Sequence, residues 1–151
     1  MPDDDFPQIK VLQKLGRTYR ALLAAFDASI GQPMPRWRVL LMLYQQGETS
    51  QKKLAEVLRM DPASLTRQIK TIERLGWVKR HCDARDNRLT NVVLSAAGIA
   101  VVEQTLPRRI EFIQRALKDL SLDDLATLSA MLDRLDERLH DEIGRAAHQK
   151  I

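Results

Sequence analysis

The chain has 151 residues, 44% apolar and 29% charged, with a formal net charge of +4 and one cysteine. That length can bury a core, the composition is that of a globular chain, and no apolar run approaches the ~20 residues a membrane helix needs. A lone Cys82 excludes an intrachain disulfide, and His81, His140 and His148 are too scattered for the usual zinc clusters, so neither metal nor cofactor is expected. The acidic opening, MPDDDFPQ, has no apolar signal core, which makes a cytoplasmic location the expectation.

In chain order, residues 6 to 30 read as a helix, because Ile9, Leu12, Leu15, Tyr19, Leu22, Leu23 and Phe26 recur at three and four residues and Gly31 follows. Pro35 suits the first turn of the next helix, PRWRVLLMLYQQ. Its consecutive Val39, Leu40, Leu41, Met42 and Leu43 predict burial on several sides before Gly47 stops it. Ser50 is a candidate N-cap for a helix with Leu54, Ala55, Val57 and Leu58 facing inward. Asp61-Pro62, an N-cap followed by a proline at the first helical position, opens another that ends near Gly76. WVKRHC and LTNVVLS then predict two strands of a β-hairpin around the polar turn DARDNR. The stretch from Ser95 to Leu120 reads as a long helix that Pro107 should kink or interrupt. Ser121 and Asp124 form a capping-box variant before a last helix striped with Leu122, Leu125, Leu128, Leu132, Leu135, Leu139 and Ile143.

A stripe that long on a terminal helix calls for a partner. A second copy of the chain would bury it, two-fold dimers being the commonest soluble oligomers, and an intrachain three-helix bundle is the alternative.

The basic excess is local. Ser50 to Asn91 holds ten Lys/Arg against five Asp/Glu, a net +5, whereas the other 109 residues carry a net −1. This is the distribution of a polyanion-binding module, although a solvated basic surface would have it too. Two helices joined by a tight turn and followed by a hairpin have the layout of a winged helix-turn-helix, whose second helix enters the major groove. In that second helix Leu65, Ile69, Ile72 and Leu75 form the expected core stripe, and the opposite side presents Ser64, Arg67, Gln68 and Thr71 with Lys70 and Arg74 beside them. The first three turns of this outer face carry no acid, whereas Glu73 and Arg74 in the last turn read as ordinary solvated helix. Amide and guanidinium groups can pair bidentately with base edges, hydroxyls adapt to either, and Lys neutralises phosphate. Gln51, at the start of the preceding helix, joins these as a DNA-contact candidate. In the hairpin turn, Arg85 and Arg88 could enter a narrow minor groove, with Asp86 holding an arginine extended through a charge-assisted bond.

With these residues in place, the chain resembles the MarR-type winged-helix regulators over almost its whole length. The resemblance rests on LAEVLRMDPASLTRQIKTIERLGWVKR, the wing DARDNR and the LSAAG opening the next helix. It departs from the family pattern at Ala84, where proline is usual, and at Trp77, where leucine usually follows the glycine. It implies a mainly α fold with a winged lobe over 34–94, and dimerisation helices over 1–33 and 95–151 that interlock in a homodimer. It also implies a recognition helix over Asp61 to Leu75, a wing arginine at Arg88, and a pseudo-palindromic double-stranded operator. Repression relieved by a small aromatic acid is the family's common outcome. Arg17, Arg20, Trp37 and Arg38 lie on the helices the family uses for its pocket and are the candidate ligand residues, a guanidinium fork and an indole face suiting an aromatic carboxylate. Tyr19 and Trp37 could equally be core anchors.

Other functions are weighed against this one. Cys82 follows Lys79, Arg80 and His81, a setting that could favour a redox-sensing thiolate, against which stands a bystander thiol. A helical interaction module without DNA binding would use only the amphipathic stripes. No phosphate-binding loop, nucleophile elbow or zinc-protease motif occurs, so no enzyme is expected.

Overall fold

The computed structural model describes residues 6–148; the acidic MPDDD opening lies outside them. Helix α1 covers Pro7–Ile30 and α2 Met34–Gln46, followed by a short strand β1, Thr49–Ser50. Helices α3 (Gln51–Leu58) and α4 (Pro62–Arg74) come next, then strands β2 (Val78–Cys82) and β3 (Thr90–Leu94). Helices α5 (Ala96–Ala116) and α6 (Leu122–His148) complete the chain. The order predicted from sequence stands, with one addition: β1 pairs antiparallel with β3, making a sheet of order β1-β3-β2. A two-residue strand is too short to show periodicity. The hairpin register pairs Val78 with Leu94 and Cys82 with Thr90.

The predicted caps are present. Ser50 Oγ accepts from the Lys53 amide at 3.2 Å, and an Asp61 carboxylate oxygen accepts from the Ser64 amide at 2.9 Å. These satisfy helix-end donors that would otherwise lack partners. Helix α4 closes with a Schellman motif: the Trp77 amide donates to Ile72 and the Gly76 amide to Glu73, both at 2.9 Å. Gly76 stands at φ 76°, a left-handed conformation that glycine adopts without the Cβ penalty. This is the structural content of the Gly-Trp break.

The chain divides into two compact units, Met1–Phe112 and Ile113–Ile151. In the first, Leu40 and Leu43 of α2, Leu54 of α3, Leu65, Ile69 and Ile72 of α4, Val92 of β3 and Val102 of α5 are all buried in one core. Phe26 of α1 meets Phe112 edge-to-face at 5.6 Å between ring centroids. In the second unit, Ser121 and Asp124 cap α6 reciprocally: the Ser121 amide donates to the Asp124 carboxylate at 2.9 Å, and the Asp124 amide donates to Ser121 Oγ at 3.1 Å.

Four expectations are corrected. Leu75, expected in the α4 core stripe, is 47% exposed. Two successive steps of three residues each fall about 60° short of a full turn, so the stripe drifts off the core before Leu75 is reached. Val57 is 53% exposed, because it sits well around the helix from the line formed by Leu54, Ala55 and Leu58. Pro107 does not interrupt α5. Val102 and Thr105 before it and Phe112 beyond it are buried, while Pro107 faces solvent, so packing on both sides outweighs the lost amide bond. Finally, α5 stops at Ala116 rather than continuing to Leu120.

Candidate nucleic-acid interface

Helix α4 is oriented by its buried line of Leu65, Ile69 and Ile72. With these inward, Ser64, Arg67, Thr71 and Arg74 project from the far side. The Arg67 guanidinium donates to Ser64 Oγ at 2.8 Å, and the Thr71 hydroxyl donates to the Arg67 carbonyl at 3.0 Å. Arg67, Lys70 and Arg74 are exposed, and Ser64 and Thr71 are half-buried. Gln68 lies nearer the buried edge, with its Oε1 enclosed and without a hydrogen-bond partner among the described residues. Pairing with both hydrogen-bonding groups of an adenine would require that amide to rotate outward. Asp61, at the N-terminus of α4, is held below the usual carboxylate range chiefly by the Ser64 amide, then by the Ser64 hydroxyl. Gln51 is half-buried and lines a shallow groove with Lys52, Glu56 and Thr66.

The hairpin is anchored at both ends. At its base the Ser95 hydroxyl donates to the Gly76 carbonyl at 2.5 Å, and the Ser95 amide donates to the Trp77 carbonyl at 2.9 Å. Gly98 of α5 packs so closely that a Cβ there would overlap the Trp77 carbonyl. On the flank, His81 Nε2 lies 2.7 Å from the Glu48 carboxylate, and Asn91 donates to both Glu48 (3.1 Å) and Asp83 (2.8 Å). At the tip, one Asp83 oxygen accepts from the Arg85 and Asp86 amides at 2.8 and 3.0 Å. These bonds and the one from Asn91, with the Arg85 amide contributing most, hold Asp83 below the usual carboxylate range. Asp86 grips Arg88 through Nε at 3.0 Å and a terminal guanidinium nitrogen at 3.3 Å. That side-chain bond is also the main cause of the lowered Asp86 pKa. The expected clamp is therefore formed, and it falls on Arg88. Arg85 is exposed beside it, and Cys82, the last residue of β2, is exposed as well.

The four ligand candidates do not converge on one cavity. Arg17 and Arg20 are exposed on α1 and line an open groove with Lys10, Gln13, Lys14 and Gly16. Trp37 is only 2% exposed, in the core of α2, where its indole N–H has no acceptor among the described residues. Arg38 donates to the Leu58 carbonyl at 2.6 Å and so finishes α3. Residue types alone gave no sign of that bond, which joins positions twenty apart.

Comparison with known proteins gives this geometry its context. The MarR family model matches residues 33–90, from the approach to α2 through the wing. An uncharacterized HTH-type transcriptional regulator of Bacillus subtilis, YdgJ, is 27% identical over 134 residues, covering 89% of this chain and 82% of the relative. The structure of a probable transcriptional regulator from Pseudomonas aeruginosa is 30% identical with a TM-score of 0.75, covering 87% of this chain and 98% of that one. Bordetella bronchiseptica BpsR shares the fold with a TM-score of 0.75 at 22% identity, over 84% of this chain and 98% of its own. YdgJ and the Pseudomonas aeruginosa protein are described as transcriptional regulators rather than enzymes, and no helix among the described residues is long and apolar enough to cross a membrane. The winged lobe, its sequence signature and its relatives agree: the chain belongs to the MarR family of DNA-binding transcriptional regulators.

Proposed function

We propose that the chain is a homodimeric repressor that reads a pseudo-palindromic operator with α4 and the wing. The observation that carries this reading is the outward line of α4, where hydroxyls and cations replace the Glu-Lys pairs usual on a solvated helix. On this reading residues 34–94 form the DNA-binding lobe, and the segments 1–33 and 95–151 form the dimer. Arg67 reads a base edge in the major groove, with Ser64 and Gln68 beside it, while Gln51 and Lys70 contact the backbone. Arg88, pre-extended by Asp86, enters the flanking minor groove, and Arg85 neutralises phosphate. Selection of bound duplexes from a random pool should return two half-sites about one helical turn apart. Arg67→Ala should cost about 1–3 kcal/mol and relax sequence preference, whereas Arg88→Ala should weaken binding. If both variants bind the selected operator like wild type, this assignment fails.

We further infer that a small aromatic carboxylate releases the operator. In BpsR, of the same fold, DNA binding is regulated by 6-hydroxynicotinic acid. In this chain, Arg17 and Arg20 are exposed on α1, and the buried Trp37 N–H has no acceptor among the described residues. Of the four candidates, Arg17 and Arg20 are the accessible carboxylate partners, since Arg38 is already bonded to Leu58. Aromatic acids should raise the melting temperature of wild type and lower its operator affinity, with Arg17→Ala blunting both responses. No shift with any such acid would remove the effector from the proposal.

A further inference from the structure

Arg74 sits in the last turn of α4, where sequence alone suggests an ordinary solvated helix end. Three observations set it apart. It lies seven residues from Arg67, which returns it to nearly the same side of the helix about 10 Å along the axis. Its guanidinium reaches Thr71 Oγ1 at 3.4 Å, a longer copy of the 2.8 Å bond from Arg67 to Ser64 Oγ. Its acidic neighbour does not compete for it: Glu73 is taken by Arg80, at 2.7 and 3.0 Å. The outward line of α4 is thus two successive hydroxyl–arginine couples rather than one reading patch followed by solvent.

The proton on Thr71 decides how the second couple works. That hydroxyl has one hydrogen, and it is donated to the Arg67 carbonyl at 3.0 Å. Only its lone pairs remain, and these face Arg74. In this rotamer the Thr71 hydrogen is committed to the helix backbone, which suits the hydroxyl to orienting the arginine.

We propose that Arg74 is a phosphate-contacting residue of the DNA surface and that Thr71 is its positioning residue. This extends the acid-free face of α4 over the full length of the helix and reassigns Thr71 from base contact to support. The N-terminal couple is placed to read bases, because the first turns of a recognition helix meet the base edges, and the C-terminal couple reaches the flanking backbone. The inference rests on operator binding by α4.

Operator affinity measured against salt tests it for wild type, Arg74→Ala, Thr71→Val and the double variant. Each phosphate contact contributes a slope of about −0.9 in log affinity against log salt, so Arg74→Ala should flatten the slope by about 1.8 for a dimer on two half-sites. Its loss should be alike on specific and unrelated duplexes. Thr71→Val should weaken wild type in the same sequence-independent way and add nothing in the Arg74→Ala background. The purely structural alternative, Arg74 as a helix-end cation on the α4 dipole, predicts a lower melting temperature with an unchanged slope, and that result would overturn the proposal. A Thr71→Val variant that changes preference at one base pair, with or without Arg74, would overturn the positioning role. If wild type binds no duplex while folding normally, the operator reading fails as well. If Arg67→Ala alone changes specificity and slope, that reading stands and this inference does not.

Discussion

Helices α4 and α6 carry comparable apolar stripes in the sequence, yet α4 buries Leu65, Ile69 and Ile72, while no side chain of α6 is buried among the described residues. Leu122, Leu128, Leu132, Leu139 and Ile143 of α6 are exposed, and only Leu125 and Leu135 of its stripe are half-covered. Helix α1 falls between them, with Phe26 and Ile30 buried at its C-terminal end and Leu12 and Tyr19 exposed earlier. The lesson is that an amphipathic stripe records a demand for burial without recording who meets it. In α4 the demand is met inside the chain and frees the opposite face for chemistry. In α6 the stripe stays largely exposed among the described residues, which is the physical basis for proposing a second copy.

The comparison breaks most sharply at Ile69, which is 0% exposed. Ile69→Ala should lower the unfolding free energy by about 2–5 kcal/mol through lost burial and a residual cavity, read from urea midpoints. A loss well below this range would mean that the α4 core is looser than its burial implies.

The counterpart on α6 is the double variant Leu128→Asp with Leu132→Asp. If a second copy covers this stripe, at least about 3 kcal/mol of burial is lost per chain, raising the dimer dissociation constant about a hundredfold or more. Light scattering should then show monomers at concentrations where wild type is dimeric, with operator affinity falling in step. An unchanged mass would assign the stripe to some other cover.

Gly98 tests the joint between wing and α5. Gly98→Ala places a methyl group against the Trp77 carbonyl, which is backbone and cannot rotate away. An overpacking loss of about 1–3 kcal/mol is expected, together with weaker DNA binding as the wing shifts. Unchanged melting and unchanged affinity would show that the wing base yields freely.

The smallest effect is that of acid. Asp61, Asp83 and Asp86 all titrate below the ordinary value of 3.8 in the folded chain. Their folded pKa values are depressed, so their stabilisation is complete above that value and fades as pH falls through the lower folded ones. Melting temperature should therefore decline below about pH 4, and Asp61→Asn and Asp86→Asn should each make the decline shallower. Parallel curves for wild type and both variants would show that these bonds persist in the unfolded chain.

Much of the fold was legible in the sequence because its signals are local. Asp61-Pro62, Ser50, Gly76 and the Ser121–Asp124 box each fix a helix end through bonds spanning a few residues, and periodicity alone sets the buried line of Leu65, Ile69 and Ile72. The basic lobe and the Asp86–Arg88 clamp belong to the same local kind. Only tertiary structure decided the rest. It placed Trp77 under Gly98, paired Glu73 with Arg80, spent Arg38 on the end of α3, turned Gln68 Oε1 inward and drew Thr49 and Ser50 into a third strand. Each of these depends on where distant parts of the chain meet. A residue type shows what bonds it can make, but only packing determines which partner comes within reach.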